Sequence, residues 1–113
     1  MEKEFLLKFA QAYQMYDATI IENDLADDMH YASMWVLEEL KSKEEYLGYL
    51  AGKLATLKEH NIRMEFEIVP GGMHRNALLV TNQRTPDGPF GFVVDFNDEG
   101  KVKMINVTAQ AFF

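Results

Sequence analysis

From residue 29 the chain reads Met-His-Tyr-Ala-Ser-Met-Trp-Val, and alternate positions gather Met29, Tyr31, Ser33 and Trp35. If this run is a strand, period-two geometry sends those four to one face and His30, Ala32, Met34 and Val36 to the other. The first set joins large rings to two hydroxyls, which suits a pocket wall or a satisfied aromatic core. Its chemistry is hydrogen bonding to a ligand, because a hydroxyl cannot serve as a base without a partner to activate it. Trp35 shares that inward parity. It is expected at the pocket rim, largely buried, with Trp35→Ala costing roughly 3 kcal/mol.

The other candidates are weaker. Asp27, Asp28 and His30 could be drawn as metal ligands, but a site needs a converging third or fourth ligand. They read better as a helix-exit turn with solvated acids and an outward histidine. His60 falls at a helix end, where a partly positive imidazole is favourable in any case. His74 and Arg75 follow Gly71-Gly72 in a loop, where they either gate a pocket mouth or are simply solvated; the second is preferred, since loops are polar by default. Asp95 has the opposite parity to Phe92 and should face away from any pocket. Gly71-Gly72 lacks the Lys-Ser/Thr ending and following helix of a phosphate loop. The chain has no cysteine, which excludes disulfides, thiol catalysis and Cys-ligated zinc. No metal and no cofactor are expected.

The elements that must position these residues follow from periodicity. Glu2 to Tyr16 reads as a helix with Phe5, Leu6, Phe9, Ala10, Tyr13 and Tyr16 on one broad face, and Asp17 as the N-cap of a second short helix through Leu25. A longer helix opens at Ser42 and Glu45, spaced as a capping box in which each side chain takes the other's free backbone N–H. Its stripe is Tyr46, Leu50, Leu54 and Leu57, widened by Leu47, with Lys53 and Lys58 on or toward the polar side. Ile62, Met64, Phe66 and Ile68 then alternate with Arg63, Glu65 and Glu67, a half-buried strand ended by Pro70-Gly71-Gly72. Ala77–Arg84 and Phe90–Phe96 are strands joined by Pro86-Asp87-Gly88. A last strand starts at Lys101, after Asn97-Asp98-Glu99-Gly100. The order is helix, short helix, strand, long helix and strands joined by hairpins, an α+β layout with helices on one face of a curved antiparallel sheet.

At 113 residues the chain, residues 1–113, is expected to be one domain. A net charge of −7 with no cluster of Lys or Arg disfavours nucleic acid and anionic membranes as partners. The opening MEKEFLLKFAQAYQMY mixes acids with a brief apolar run and does not read as a signal peptide. A soluble cytoplasmic protein is expected.

Two stretches carry a resemblance. Leu25-Ala26-Asp27-Asp28 leads into the aromatic strand and is followed by Lys41-Ser42-Lys43, and Phe96-Asn97-Asp98-Glu99-Gly100-Lys101-Val102 turns into the last strand. With the order of elements, they resemble the nuclear transport factor two-like superfamily, the cone fold of SnoaL-like cyclases and ketosteroid isomerases. The resemblance implies a curved antiparallel or mixed sheet with N-terminal helices and one long helix on its concave face. It also implies a bulge marked by Val102 and Ile105. Matching the isomerase catalytic positions gives Phe9, Ser33 and Phe92, none of them able to do that chemistry, so isomerisation by that constellation is not expected. The same matching turns Tyr31, Ser33 and Trp35, then Phe92, Val94 and Phe96, then Ile105, Val107 and Ala109 inward. With Phe9 and Tyr13 they would line an apolar, aromatic cavity for a small hydrophobic or planar ligand, unless the rings fill the cone. Two function classes stay open. One is an enzyme on a hydrophobic substrate, of cyclase, isomerase or dehydratase type, with Tyr31, Ser33 and Tyr13 as hydrogen-bonding groups. The other is a non-catalytic ligand-binding or interaction module, its pocket a receptor or merely a core, favoured because no inward carboxylate or histidine stands out. The outer face, with Gly91, Val93, Asp95, Met104, Asn106, Thr108 and Gln110, is expected to form a homodimer.

Overall fold

The computed structural model describes residues 2–72 and 75–113, so the reading of His74 lies outside the described residues. Helix α1 (Glu2–Gln14) buries Phe5, Leu6, Phe9 and Tyr13 along one side. It stops before Tyr16, which takes a left-handed φ of 54°. There the Asp17 N–H reaches back to the Ala12 carbonyl at 2.8 Å, and the Tyr16 hydroxyl donates to the Ile62 carbonyl at 2.8 Å. That anchor holds a backbone conformation that is uncommon without glycine. The single short helix expected next is instead two 3₁₀ turns, Ala18–Ile20 and Glu22–Asp24. Asp17 caps the first, accepting from the Thr19 N–H at 3.0 Å.

The aromatic stretch is not one strand but a hairpin. Strand β1 (Leu25–Ser33) ends at a two-residue turn, Met34-Trp35, and β2 (Val36–Leu40) returns antiparallel to it. Ser33 Oγ accepts from the Trp35 N–H at 3.3 Å, a serine turn that replaces the expected continuation. Helix α2 (Lys43–Glu59) follows. Ser42 caps it through the Glu45 N–H at 3.1 Å, while the Glu45 carboxylate reaches the Lys41 N–H at 3.2 Å, one residue earlier than a capping box requires. Tyr46, Leu50 and Leu54 of its stripe are buried.

Strand β3 (Phe66–Pro70) begins four residues after the alternating pattern does. The Asn82 side chain explains the delay. It accepts from the Glu65 N–H at 2.9 Å and donates to the Arg63 carbonyl at 2.8 Å, standing in for a strand partner. Strands β4 (Asn76–Thr85), β5 (Gly88–Phe96) and β6 (Val102–Ala109) complete the sheet. At the β4–β5 turn Gly88 has φ 98°, the left-handed position that a Pro-Asp-Gly turn of this kind demands.

Spatial order is β2-β1-β6-β5-β4-β3, antiparallel throughout except that β1 runs parallel to β6. The sheet is curved and open, and one face of it is concave. Register puts Ser33, Val107, Phe92 and Leu78 in one row across that face. A register shift beside Phe96 sets Val102 and Ile105 on the same buried side, the bulge that the resemblance implied. Helix α1 lays its rings on β5 and β3. Phe9 meets Phe92 edge-on at 4.8 Å, and Tyr13 lies 5.6 Å from both Phe92 and Phe66. Helix α2 covers β1 through Tyr46, 5.0 Å from Tyr31. No helix of the described residues is long and apolar enough to cross a membrane.

On the convex face β4 and β5 approach closely at Gly91. A Cβ there would run into the Leu78 carbonyl oxygen and stand 2.8 Å from the Phe113 ring. Gly91→Ala should therefore destabilise by about 2 kcal/mol through overpacking, read as a lower urea midpoint at unchanged slope. A neutral variant would mean that the two strands are not packed this tightly.

Candidate functional site

Where the β1–β2 hairpin leans toward the β4–β5 turn, it leaves a cavity of about 300 Å³. Tyr31 and Ser33 of β1 form its floor with Val107 of β6; Trp35, Val36, Glu38 and Leu40 form one side; Thr85 and Phe90 close another; Tyr49 and Lys53 enter from α2. The volume is at the lower end for small-molecule sites. A larger hollow of about 410 Å³ lies on the convex face between Val93, Asn106, Thr108 and Phe112. Its charged group, Arg75, is already committed to Asp95 at 3.0 Å, so it offers less to recognise a ligand.

Of the eight residues expected in a pocket, Tyr31, Ser33, Trp35 and Val107 meet here. Phe9, Tyr13 and Phe92 do not line it. They are wholly buried against one another, because α1 lies directly on β5 and its rings fill the space a deeper cavity would need. Ala109 is buried also, its N–H donating to the Met34 sulfur at 3.1 Å. Trp35 reaches the rim from the turn rather than from strand parity. It is 39% exposed, its indole N–H donates to Asp87 Oδ2 at 2.8 Å, and its ring stands perpendicular to Phe90 at 6.1 Å. That exposure lowers the expected cost of Trp35→Ala to about 1–2 kcal/mol, below the range for buried rings. Thermal or urea unfolding of the variant checks it, and a loss above 3 kcal/mol would mean a buried indole.

Sequence reasoning missed the contribution of α2. Tyr46, Tyr49 and Lys53 are spaced three and four apart, so they share one helix edge. That spacing was the available signal. The rings of Tyr31, Tyr46 and Tyr49 lie 5.0–6.4 Å apart, and the hydroxyls of Tyr31 and Tyr49 are 3.4 Å from each other. Lys53, read as lying on or toward the polar side, instead places its ammonium 5.9 Å from the Tyr13 and Tyr49 ring centres. The hydroxyls of Tyr13 and Tyr46 are buried and have no partner among the described residues. Burial pushes the phenols of Tyr13, Tyr31 and Tyr46 well above their ordinary values, with the neighbouring tyrosines adding to it. They therefore stay protonated.

Around the rest of the surface, His30 pairs with Glu39 across the hairpin at 3.3 Å, and Asp27 and Asp28 are exposed. Among the described residues no three His, Asp or Glu side chains converge as a metal site. The arrangement can enclose a flat apolar body and donate hydrogen bonds to it. Glu38, exposed beside the mouth, is the one carboxylate in the wall.

No family model and no curated protein matches the chain. Solved structures do. The chain is similar to a SnoaL-like protein of unknown function from Burkholderia thailandensis at 18% identity and TM-score 0.70, over 95% of this chain and 92% of that one. It is similar to a steroid delta-isomerase from Pseudomonas aeruginosa at 12% identity and TM-score 0.62, over 95% and 77%. It is also similar to SalBIII, an epoxide hydrolase/cyclase-like enzyme of pyran ring formation in salinomycin, at 14% and 0.64, over 94% and 88%. At these identities the likeness carries the fold and not the activity.

Proposed function

We propose, from the premise of a nuclear transport factor two-like fold, that the cavity beside Tyr31 and Trp35 receives a small hydrophobic or aromatic ligand and holds it without transforming it. The observation that carries this reading is the composition of the wall: rings and aliphatic groups around hydroxyl donors, with its one carboxylate out at the mouth. The isomerase-matching positions Phe9, Ser33 and Phe92 offer no base. A second reading, a small enzyme of cyclase, isomerase or dehydratase type, draws support from two enzymes among the similar structures and from Glu38 beside the donors.

The test uses trans-cinnamamide, a neutral planar probe. Trp35 is the only tryptophan, so its indole N–H signal in heteronuclear NMR needs no further assignment. That signal should shift saturably as the probe fills the cavity. Absence of a saturable shift at millimolar concentration of this amide and of the matching acid, trans-cinnamate, would sink the reading. The enzyme reading would gain from a rate loss of ~100-fold in Glu38→Gln, in any assay that shows turnover.

We also propose that two copies pair through the convex face, supported by the half-buried patch of Met104, Asn106 and Thr108 next to an exposed Phe112; Val93, expected in that patch, is buried within the chain. A monomer by sedimentation at high micromolar concentration would exclude that pairing. The lack of cysteine supports a reducing compartment such as the cytoplasm.

A further inference from the structure

We infer that the ligand of this cavity is a monoanion, an apolar or aromatic carboxylic acid whose carboxylate is held by Lys53 with Tyr49 and Tyr31 donating to it. The inference rests on the ligand-binding reading above and specifies its ligand class. Lys53 carries the argument first. The chain has 18 acidic residues against 11 Lys and Arg, so acids are plentiful as partners for its cations. Ion pairs form at Lys8–Asp24 and Arg75–Asp95. Lys53 makes none among the described residues, although it lines a hollow with Tyr31, Trp35, Tyr49 and Phe90. Its neighbours are the faces of Tyr13 and Tyr49, which attract a cation but accept few of its three N–H bonds. A half-buried ammonium left in that state recovers solvation when a carboxylate arrives.

The phenols make the second, independent point. Tyr31 and Tyr49 face each other at 3.4 Å, and only one of them can donate to the other. At least one phenolic proton is therefore left for a third group. Whichever phenol keeps that proton lacks an acceptor in the pair. A carboxylate has acceptor sites for both a phenol and an ammonium. The opposite wall, from Val36 and Leu40 to Phe90 and Trp35, takes the apolar body. One cation matches one negative charge, and the small volume limits the ligand to one or two rings. Glu38 opposes an anion, so the carboxylate must lie toward α2 and away from the mouth.

The experiment compares trans-cinnamate with trans-cinnamamide, the same shape with and without the charge, by titration calorimetry at pH 7 in low salt. Cinnamate should bind about tenfold tighter, an order of magnitude in keeping with a charge-assisted contact. Its affinity should fall with added salt while that of the amide does not. Lys53→Met should bring the two probes to the same affinity, Lys53→Arg should keep the preference, and Glu38→Gln should tighten cinnamate. Equal affinities on the unmodified chain, or a preference that survives Lys53→Met, would overturn the inference and leave the cavity reading standing. Failure of both probes to bind would overturn both. The probe pair and the salt series decide the matter even if a Lys53 variant does not fold.

Discussion

Phe92→Ala should remove about 4 kcal/mol of stability, a large share of what a domain of this size possesses. Phe92 is 0% exposed, and its ring is touched by Phe9 at 4.8 Å, Tyr13 at 5.6 Å and Phe66 at 6.4 Å. It is the point at which α1 grips the sheet. The void left by truncation would be walled by rings on one side and by a strand locked between two others, β4 and β6, on the other. Neither wall can collapse inward, and the cost of a cavity grows with the volume that stays open. Phe92→Leu, which refills most of the space, should recover more than half of the loss. Urea unfolding followed by circular dichroism measures both. A loss below 1.5 kcal/mol for the alanine variant would show that the ring cluster is not the centre of the core.

The second large effect is on alkaline stability. Tyr13, Tyr31 and Tyr46 all have phenols raised by burial. In the unfolded chain they ionise near pH 10; in the folded chain they hold their protons beyond it. Folded-state values above unfolded ones mean that the stabilisation is complete below pH 10 and is lost as pH climbs past it. Each tyrosine contributes a slope of about 1.4 kcal/mol per pH unit once the unfolded phenol is ionised. Three acting together would take ~4 kcal/mol per unit, enough to unfold the protein cooperatively near pH 11–12. The tyrosinate absorbance of the three should rise in the same step as the loss of helical signal. Tyr46→Phe should shift that midpoint upward and reduce its steepness by about one proton. At pH 7 the same change should be neutral or slightly stabilising, because it deletes a hydroxyl that has no partner among the described residues. Ionisation of more than two of the five tyrosines well ahead of unfolding would show these phenols to be open to hydroxide.

The parts of this fold written in local periodicity were legible. The α2 stripe, the inward parity of Phe92, Val94, Ile105 and Val107, and the β6 bulge all follow from spacing alone or from spacing with the family likeness. The hairpin at Met34-Trp35 was not legible, because neither residue is a turn former. What bends the chain there is tertiary: the Trp35 indole reaching Asp87, 52 residues away, and Ser33 closing the turn. The late start of β3 has a similar cause in the Asn82 side chain, 17 residues beyond Glu65. The site was half legible. Strand parity supplied Tyr31 and Ser33 and the family likeness supplied Val107, whereas Lys53 was read as lying on or toward the polar side because a hydropathy pattern cannot show which way a long side chain turns.

The parallel union of β1 with β6 also dictates when this protein can fold. Thr108 and Met34, in contact across it, are 74 residues apart. During synthesis at ~5–20 residues per second, the first hairpin waits on the order of ten seconds before its partner strand exists. Throughout that interval the edge of β1 that will pair with β6 stands open. Closing so long a loop must precede the contacts that reward it, which places folding in the millisecond-to-second range rather than microseconds. The cavity is built across this seam, from Tyr31 and Ser33 on one strand and Val107 on the other. A ligand therefore has nothing to bind until the last strand has docked. It should slow unfolding without hastening folding.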